Sequence, residues 1–174
     1  MVAKLHNFRE SLELSHEQSD APWWGEVYRA AFPSLQGMVC VRNDGWAQRG
    51  GIDRVLTLGC GKTLTVDEKV RAKDYGDILL EVWSDHERRV PGWVAKDLAC
   101  DFIAYAIIPT ETCYLLPFQT LRAAWRQNGR RWWANNRLPP AQNDGWQTVS
   151  VAVPVWELMD AMSDAMRVSW KAAA

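Results

Sequence analysis

The sequence contains no apolar run that approaches the roughly 20 residues needed to cross a bilayer. Residues 1–6 lack the apolar segment of a secretion signal. The four cysteines are scattered without a C-x-x-C spacing, which argues against a zinc site and favours reduced thiols. The three histidines form no ligand pair, and no Ser-His-Asp arrangement or phosphate-binding glycine loop is evident. These absences favour a cytoplasmic protein that does not bind membranes.

The net charge of the chain is close to zero. Twenty Lys and Arg residues face 21 Asp and Glu residues, which gives a formal net charge of −1. This balance argues against a protein that coats nucleic acid indiscriminately, but it permits a local basic groove. With 174 residues, 48% of them hydrophobic, we expect one soluble domain over residues 1–174. The eleven tryptophans are unusually many, and they suit either core packing or base stacking.

A β-hairpin is the clearest local pattern. Residues 54–58 and 63–66 are apolar and rich in β-branched side chains, and residues 59–62, Gly-Cys-Gly-Lys, separate them. Two such runs around a short glycine-rich turn are typical of a hairpin.

The register of this hairpin decides which charged residues meet. If the turn is centred on Cys60, Asp53 lies opposite Asp67, and the alternation of strand side chains places Lys69 on the same face. A two- or four-residue loop would instead pair Asp53 with Glu68 and move Asp67 to the other face. Under the first register, two carboxylates and a lysine form a cluster suited to a divalent cation.

This arrangement resembles the PD-(D/E)XK nuclease superfamily. Its signature is an aspartate at the start of one strand, then an acidic residue, any residue and a lysine on the next strand. The matching residues, in that order, are Asp53, Asp67, Glu68 and Lys69. Gly51-Ile52 stand where the signature has its proline. The resemblance covers about residues 20–120, and its motif only residues 51–71.

The resemblance implies a restriction-endonuclease-like fold and a Mg²⁺-dependent centre in which Mn²⁺ can substitute. Asp53 and Asp67 would bind the metal, with the backbone carbonyl of Glu68 as a third oxygen ligand. Lys69 would position the attacking water or offset charge in the transition state. The alternative is a salt-bridge ladder on an exposed hairpin face, which is common and contributes little energy.

An additional metal ligand from an early helix is a further implication of the resemblance. Glu26 is the candidate, and Glu10 and Glu17 compete with it. An ordinary solvated glutamate is the simpler interpretation of all three.

The remaining pattern predicts an α/β protein with a mixed central sheet flanked by helices. Predicted helices cover residues 4–19, 23–32, 93–108, 119–127 and 156–170. Predicted strands, besides the hairpin, cover residues 39–42, 77–84, 113–118 and 147–153, and residues 128–144 form a predicted loop.

Three polar residues stand out against this background. Lys96 interrupts the apolar stripe of the predicted helix at 93–108, so it either reaches the scissile phosphate or snorkels from a helix end. Gln48 lies five residues before Asp53, where it could orient a phosphate or a water, or simply occupy a turn. Glu81 is centred in an apolar predicted strand, and a buried carboxylate needs a partner.

Arginines and tryptophans concentrate between residues 122 and 137. Arg126, Arg130, Arg131 and Trp132 form the candidate nucleic-acid surface, because guanidinium groups bind phosphates and indoles stack on bases. The alternative is a basic solvent-exposed helix face whose tryptophans cover the core.

The function predicted from these residues is metal-dependent hydrolysis of DNA phosphodiester bonds. A catalytically inactive nuclease-fold module that binds nucleic acid or a protein partner is the main alternative, and a small structural protein is a third. A double-strand cut needs two centres, so a homodimer or a larger partner protein, such as a helicase or methyltransferase, is part of the hypothesis.

Overall fold

Nine strands in two sheets and four α-helices make up residues 21–167, the part of the chain that the computed structural model describes. The strands are β1 (Leu35–Cys40), β2 (Arg54–Leu58), β3 (Thr63–Arg71), β4 (Asp77–Asp85), β5 (Val90–Pro91), β6 (Phe102–Ile107), β7 (Thr112–Pro117), β8 (Ala141–Gln142) and β9 (Gln147–Pro154). The helices are α1 (Trp23–Ala31), α2 (Gly45–Arg49), α3 (Phe118–Asn136) and α4 (Val155–Ala165). The predicted helix at 4–19, with Glu10 and Glu17, lies outside the described residues, as do residues 168–170.

The first sheet is mixed, as predicted. Its order is β1-β2-β3-β6-β7, in which β3 and β6 are parallel and the other pairs are antiparallel. The second sheet has the order β5-β4-β9-β8, and its pairs are antiparallel. The α/β class and the mixed central sheet with flanking helices are therefore confirmed. No helix of the described residues is both long and apolar enough to cross a membrane.

The hairpin of β2 and β3 has the register that a turn centred on Cys60 predicts. Arg54 pairs with Val66, and Thr57 pairs with Thr63. Gly61 has φ +80°, which a glycine adopts at little cost in so tight a turn. The alternative register, with Asp53 opposite Glu68, is excluded.

The predicted helix at 93–108 is wrong. Residues 92–101 form an irregular segment, and β6 follows as a central strand with β3 on one side and β7 on the other. Five of its six residues are buried. The spacing of Trp93, Cys100, Ile103 and Ile107 also suits a helix, but the unbroken apolar run of residues 102–107 is typical of a strand buried on both faces.

Helix α3 is longer than predicted and takes in the first part of the predicted loop at 128–144. Gly129 and Trp132 are buried against the rest of the molecule, and Asn128 donates its side-chain amide to the carbonyl of Ala124. Tertiary packing thus outweighs the poor helix propensity of glycine and asparagine.

The two faces of the first sheet meet different partners. One face packs against α1, through a cluster made of Trp24, Tyr28, Leu56, Val66, Ala104 and Ala106. The other face shares a larger core with the second sheet, α3 and α4, and its members include Ile78, Leu80, Val94, Leu98, Ile103, Tyr105, Phe118, Leu121 and Leu158. A charged residue on β3 therefore faces either α1 or the second sheet, according to its position in the strand.

Candidate metal centre

The structure brings together the three charged residues that the hairpin register predicts. Asp67 and Lys69 lie on β3, and Asp53 comes directly before β2. The ammonium nitrogen of Lys69 lies 2.5 Å from Oδ1 of Asp67, and the carboxyl groups of Asp53 and Asp67 contact each other. The side chains are 18%, 5% and 30% exposed for Asp53, Asp67 and Lys69. An exposed salt-bridge ladder is thus excluded, because the aspartates are largely buried.

Asp53 is held by two donors from different elements. Its Oδ1 accepts a hydrogen bond from Nε of Arg42 at 3.1 Å, and its Oδ2 accepts one from the backbone amide of Glu68 at 2.8 Å. Its own amide donates to the carbonyl of Val66, and its carbonyl accepts from the amide of Val41, both at 2.8 Å. The carboxylate therefore has a fixed orientation toward Asp67.

The side chain of Glu68 projects from the opposite face of the sheet and is 0% exposed. Its Oε1 accepts hydrogen bonds from Nε of Arg54 at 2.6 Å and from the hydroxyl of Tyr28 at 2.8 Å. Nη2 of Arg42 lies 3.5 Å from its Oε2. Arg42 thus contacts both Asp53 and Glu68, and it links the acidic centre to the residues under α1.

The pKa values of the two aspartates move in opposite directions. Burial, together with the neighbouring Asp53 and against the opposing effect of Lys69, raises the pKa of Asp67 to about 6. Burial also acts to raise the pKa of Asp53, but Lys69, Arg42 and the amide of Glu68 outweigh it and lower that pKa below its ordinary value. Asp67 is therefore the carboxyl group that more readily holds a proton.

The lysine of the centre stays protonated. Burial alone would lower the pKa of Lys69, but the carboxylates of Asp67 and Asp53 outweigh it and raise that pKa. Without a metal, Lys69 and Arg42 thus supply the positive charge that the two aspartates need.

Glu81 on β4 is a third acidic group near the centre. Burial raises its pKa, whereas Lys69 and Lys96 act to lower it. Its backbone carbonyl accepts a hydrogen bond from the amide of Val94 at 3.3 Å. Lys96 lies exposed in the irregular segment before β6, not on a helix, and it is near Glu81.

Gln48 lies in α2, the single helical turn before Asp53, and it is exposed to solvent. Its backbone carbonyl accepts from the amide of Gly51, whose φ of +65° turns the chain toward β2. A Cβ atom on Gly51 would lie 2.7 Å from Cδ2 of Leu98, so α2 packs closely on the segment that precedes β6.

Glu26 does not reach the centre. It lies on the exposed side of α1, whose buried side, with Trp24 and Tyr28, packs on the sheet face opposite to Asp67. The predicted role of Glu26 as a metal ligand therefore has no support in its position.

The predicted nucleic-acid surface on α3 is only partly exposed. Arg126, Arg130 and Arg131 are exposed, but Trp132 is fully buried and donates its indole N–H to Oε1 of Glu157 at 2.8 Å. Nη2 of Arg131 lies 3.0 Å from the same oxygen. Trp132 cannot stack on a base, because it connects α3 to α4.

The donor set of the centre fits a hard divalent cation. Two carboxylates in contact repel each other when both are ionised, and Mg²⁺ is commonly held by one or two carboxylates together with waters. Among residues 21–167, no group of three or more His, Cys, Asp or Glu side chains is arranged to hold a metal. Any metal here would thus depend on Asp53 and Asp67 with main-chain oxygen and water. The thiol of Cys100 lies near Asp67, but burial raises its pKa to about 12.

Comparisons with family models, with curated proteins and with solved structures find no match to this chain.

The sequence analysis missed Arg42, Arg54 and the side chain of Glu68. The period of two along β3 does place Glu68 on the face opposite to Asp67. The identity of its partners depends on which helix covers that face, and no local pattern contains this information.

Proposed function

We propose that the protein is a metal-dependent nuclease of restriction-endonuclease-like fold that hydrolyses DNA phosphodiester bonds. The observation that carries the proposal is the contact of Asp53, Asp67 and Lys69 on one sheet face. A mixed sheet flanked by helices, which the resemblance to PD-(D/E)XK nucleases implies, supports it further.

The residues of the centre suit distinct roles. Asp53 and Asp67 would hold Mg²⁺ or Mn²⁺, together with the backbone carbonyl of Glu68. The bound metal would polarise the phosphoryl oxygen and lower the pKa of a water. Lys69, protonated and beside Asp67, is placed to offset negative charge that develops on the phosphate. Arg42 and the amide of Glu68 keep Asp53 oriented.

The direct test is cleavage of plasmid and single-stranded DNA with Mg²⁺ or Mn²⁺. We expect Asp67→Asn and Lys69→Met each to lower the cleavage rate by about 100-fold or more. Asp77→Asn is the matched control. Asp77 is also a largely buried aspartate, 16% exposed, and it forms an ion pair with Arg71, which lies on the same strand as Lys69. Its rate should stay within about threefold of the wild type.

Absence of metal-dependent cleavage by the wild type would overturn the proposal. So would cleavage that Asp67→Asn and Lys69→Met both leave unchanged, because a contaminating nuclease would then account for the activity.

A nuclease-fold module that binds DNA without cutting it is the second candidate. The observation in its favour is the charge balance of the centre, where Lys69 and Arg42 already neutralise the two aspartates. Calorimetry with Mn²⁺ separates the two candidates. If the protein is the nuclease, the wild type binds Mn²⁺ and the Asp67→Asn variant does not. If it is the binding module, the wild type shows no heat of binding.

A further inference from the structure

Trp46 presents its indole to solvent on α2, the helix that precedes Asp53 of the candidate metal centre in the chain. Its side chain is 75% exposed on α2, although the helix itself is firmly held. Oδ1 of Asp44 accepts hydrogen bonds from the amides of Trp46 and Ala47, at 2.8 and 2.9 Å. The amide of Ile52 donates to the carbonyl of Ala47 at 2.9 Å, which fixes α2 against the residue before Asp53. The helix that carries the indole therefore has a fixed position, and the indole offers an apolar surface to solvent.

The segment before β6 connects α2 to α3. The amide of Ala99 donates to the carbonyl of Gly50 at 2.8 Å, which joins the end of α2 to the segment before β6. Two residues earlier in that segment, Asp97 forms an ion pair with Arg122 of α3. Lys96, the residue before Asp97, is exposed. Residues 97–99 thus contact the end of α2 at Gly50 and helix α3 at Arg122.

Helix α3 concentrates positive charge in a chain of nearly zero net charge. Its 19 residues include four arginines and no acidic residue, whereas the whole chain has a net charge of −1. Arg122, Arg126 and Arg130 are four residues apart and share one face. Within the described part of the chain, Arg126 and Arg130 are exposed and form no ion pair. Phosphate groups are the natural partners of such a row.

We infer that Trp46 stacks on a base of single-stranded DNA whose phosphates follow the arginine row of α3. The inference rests on the proposed function, because it places the strand beside Asp53 and Asp67. In a duplex, both faces of an internal base are covered by its neighbours, so an indole can stack only on an unpaired or terminal base. The protein therefore favours unpaired DNA as its substrate.

The test measures binding without cleavage. The full chain is titrated, in EDTA, into a fluorescein-labelled oligothymidylate of about 20 nucleotides, and fluorescence anisotropy reports the Kd. We expect Trp46→Ala to weaken this binding by about 5- to 150-fold, because loss of a stacked base costs about 1–3 kcal/mol. The salt dependence should not change, since no charge is removed.

The double variant Arg126→Ala/Arg130→Ala should change the salt dependence of binding, which Trp46→Ala leaves unchanged. Loss of two phosphate contacts lowers the slope of log Kd against log salt concentration by about 1.4, since each contact contributes about 0.7 on a single strand. Its control is Lys62→Ala/Arg29→Ala, which removes the same charge. Lys62 is in the hairpin turn, and Arg29 is on α1 at the other face of the sheet.

Trp156→Ala is the control for Trp46→Ala. Trp156 is 69% exposed on α4, so it matches Trp46 in residue type and exposure but lies on a helix that carries no arginine of the row. We expect its Kd for the oligothymidylate to stay within about twofold of the wild type.

Equal effects of Trp46→Ala and Trp156→Ala would overturn the inference, as would an equal loss of affinity for a blunt duplex of the same length. The experiment is independent of cleavage. Cleavage that depends on Asp67, with single-strand binding that ignores Trp46, refutes this inference alone. Binding that depends on Trp46, without metal-dependent cleavage by the wild type, refutes the proposed function alone.

Discussion

At the scale of single residues, contacts within the hairpin could be predicted from sequence, whereas contacts between residues far apart in the chain could not. Asp53, Asp67 and Lys69 belong to the first kind. The hairpin register fixes which side chains meet across a tight turn, so these three could be predicted from sequence. The hydroxyl of Tyr28, by contrast, reaches Glu68 across 40 residues of chain. Contacts of this kind depend on tertiary packing, and the sequence offered no local signal for them.

The opposite pKa shifts of the two aspartates lead to a prediction about stability. We expect Asp67→Asn to raise the free energy of unfolding near neutral pH by up to about 3 kcal/mol, because burial raises the pKa of Asp67 from its ordinary value of 3.8 to about 6. A carboxyl group that ionises more readily in the unfolded chain weakens the fold as the pH rises. The gain should therefore grow between about pH 4 and pH 7 in urea unfolding.

Asp53→Asn provides the contrast. Lys69 and Arg42 outweigh burial and lower the pKa of Asp53, so its ionised form stabilises the fold and this stabilisation is lost as the pH falls through the lowered pKa. Asp53→Asn should thus reduce stability near neutral pH. A change of the same sign in both variants would contradict the assignment of the shifts.

Arg42 allows a test of how the centre is oriented. We expect Arg42→Ala to weaken Mn²⁺ binding by about 10- to 100-fold in calorimetry, because a ligand carboxylate depends on the donors that orient it. Arg42→Lys should recover part of the loss, since it retains the charge but not the planar donor geometry.

The control for Arg42 is Arg71→Ala. Both arginines are 15% exposed and each pairs with an aspartate, but the partner of Arg71 is Asp77. Equal losses of metal affinity in Arg42→Ala and Arg71→Ala would show that the effect reports general destabilisation instead of the orientation of Asp53.

At the scale of elements, a helix or strand was predicted well from sequence where its hydrophobic periodicity and its residue propensities indicate the same structure. Strands β4, β7 and β9 and helix α1 lie within a few residues of their predicted positions. Strand β6 was mistaken for a helix because apolar side chains every three or four residues suit both structures when the whole run is apolar. Only its position between β3 and β7 decides the matter.

The turn from α2 into β2 gives a prediction at this scale. We expect Gly51→Ala to lower the free energy of unfolding by about 2–4 kcal/mol, the sum of backbone strain at positive φ and of a clash with the buried Leu98. Gly61→Ala is the matched control: it has φ +80° but open space around it, so it should cost only about 1 kcal/mol. Chemical denaturation measures both, and equal losses would show that Leu98 moves aside freely.

At the scale of the whole molecule, the division into two sheets was beyond the sequence. Periodicity reveals which face of a strand is buried, but it does not identify the neighbouring strand. The chain leaves the first sheet after β3, builds β4 and β5 of the second sheet, and returns as β6 beside β3. The predicted mixed central sheet is therefore present, but the prediction did not include the second sheet, whose strands β4 and β5 the chain forms between β3 and β6.

The thiols provide a probe of the intact fold. Cys40 and Cys60 are exposed, Cys100 is buried and Cys113 is partly buried, and burial raises the pKa of both Cys100 and Cys113 to about 12. In a titration with Ellman's reagent at neutral pH, we expect Cys40 and Cys60 to react quickly, and the other two only when the chain opens or unfolds. Cys60→Ser should halve the fast amplitude, and a fast phase of four thiols would contradict the described packing.

The excursion of the chain between β3 and β6 has a consequence for a nicked protein. A protease that cuts the exposed turn at residues 86–89, between β4 and β5, leaves β1, β2, β3 and β4 in one fragment and β5, β6, β7, β8 and β9 in the other. Each sheet then draws its strands from both fragments. Neither fragment can complete a sheet by itself, so the halves form an obligate complementing pair that recovers its structure only on reassembly.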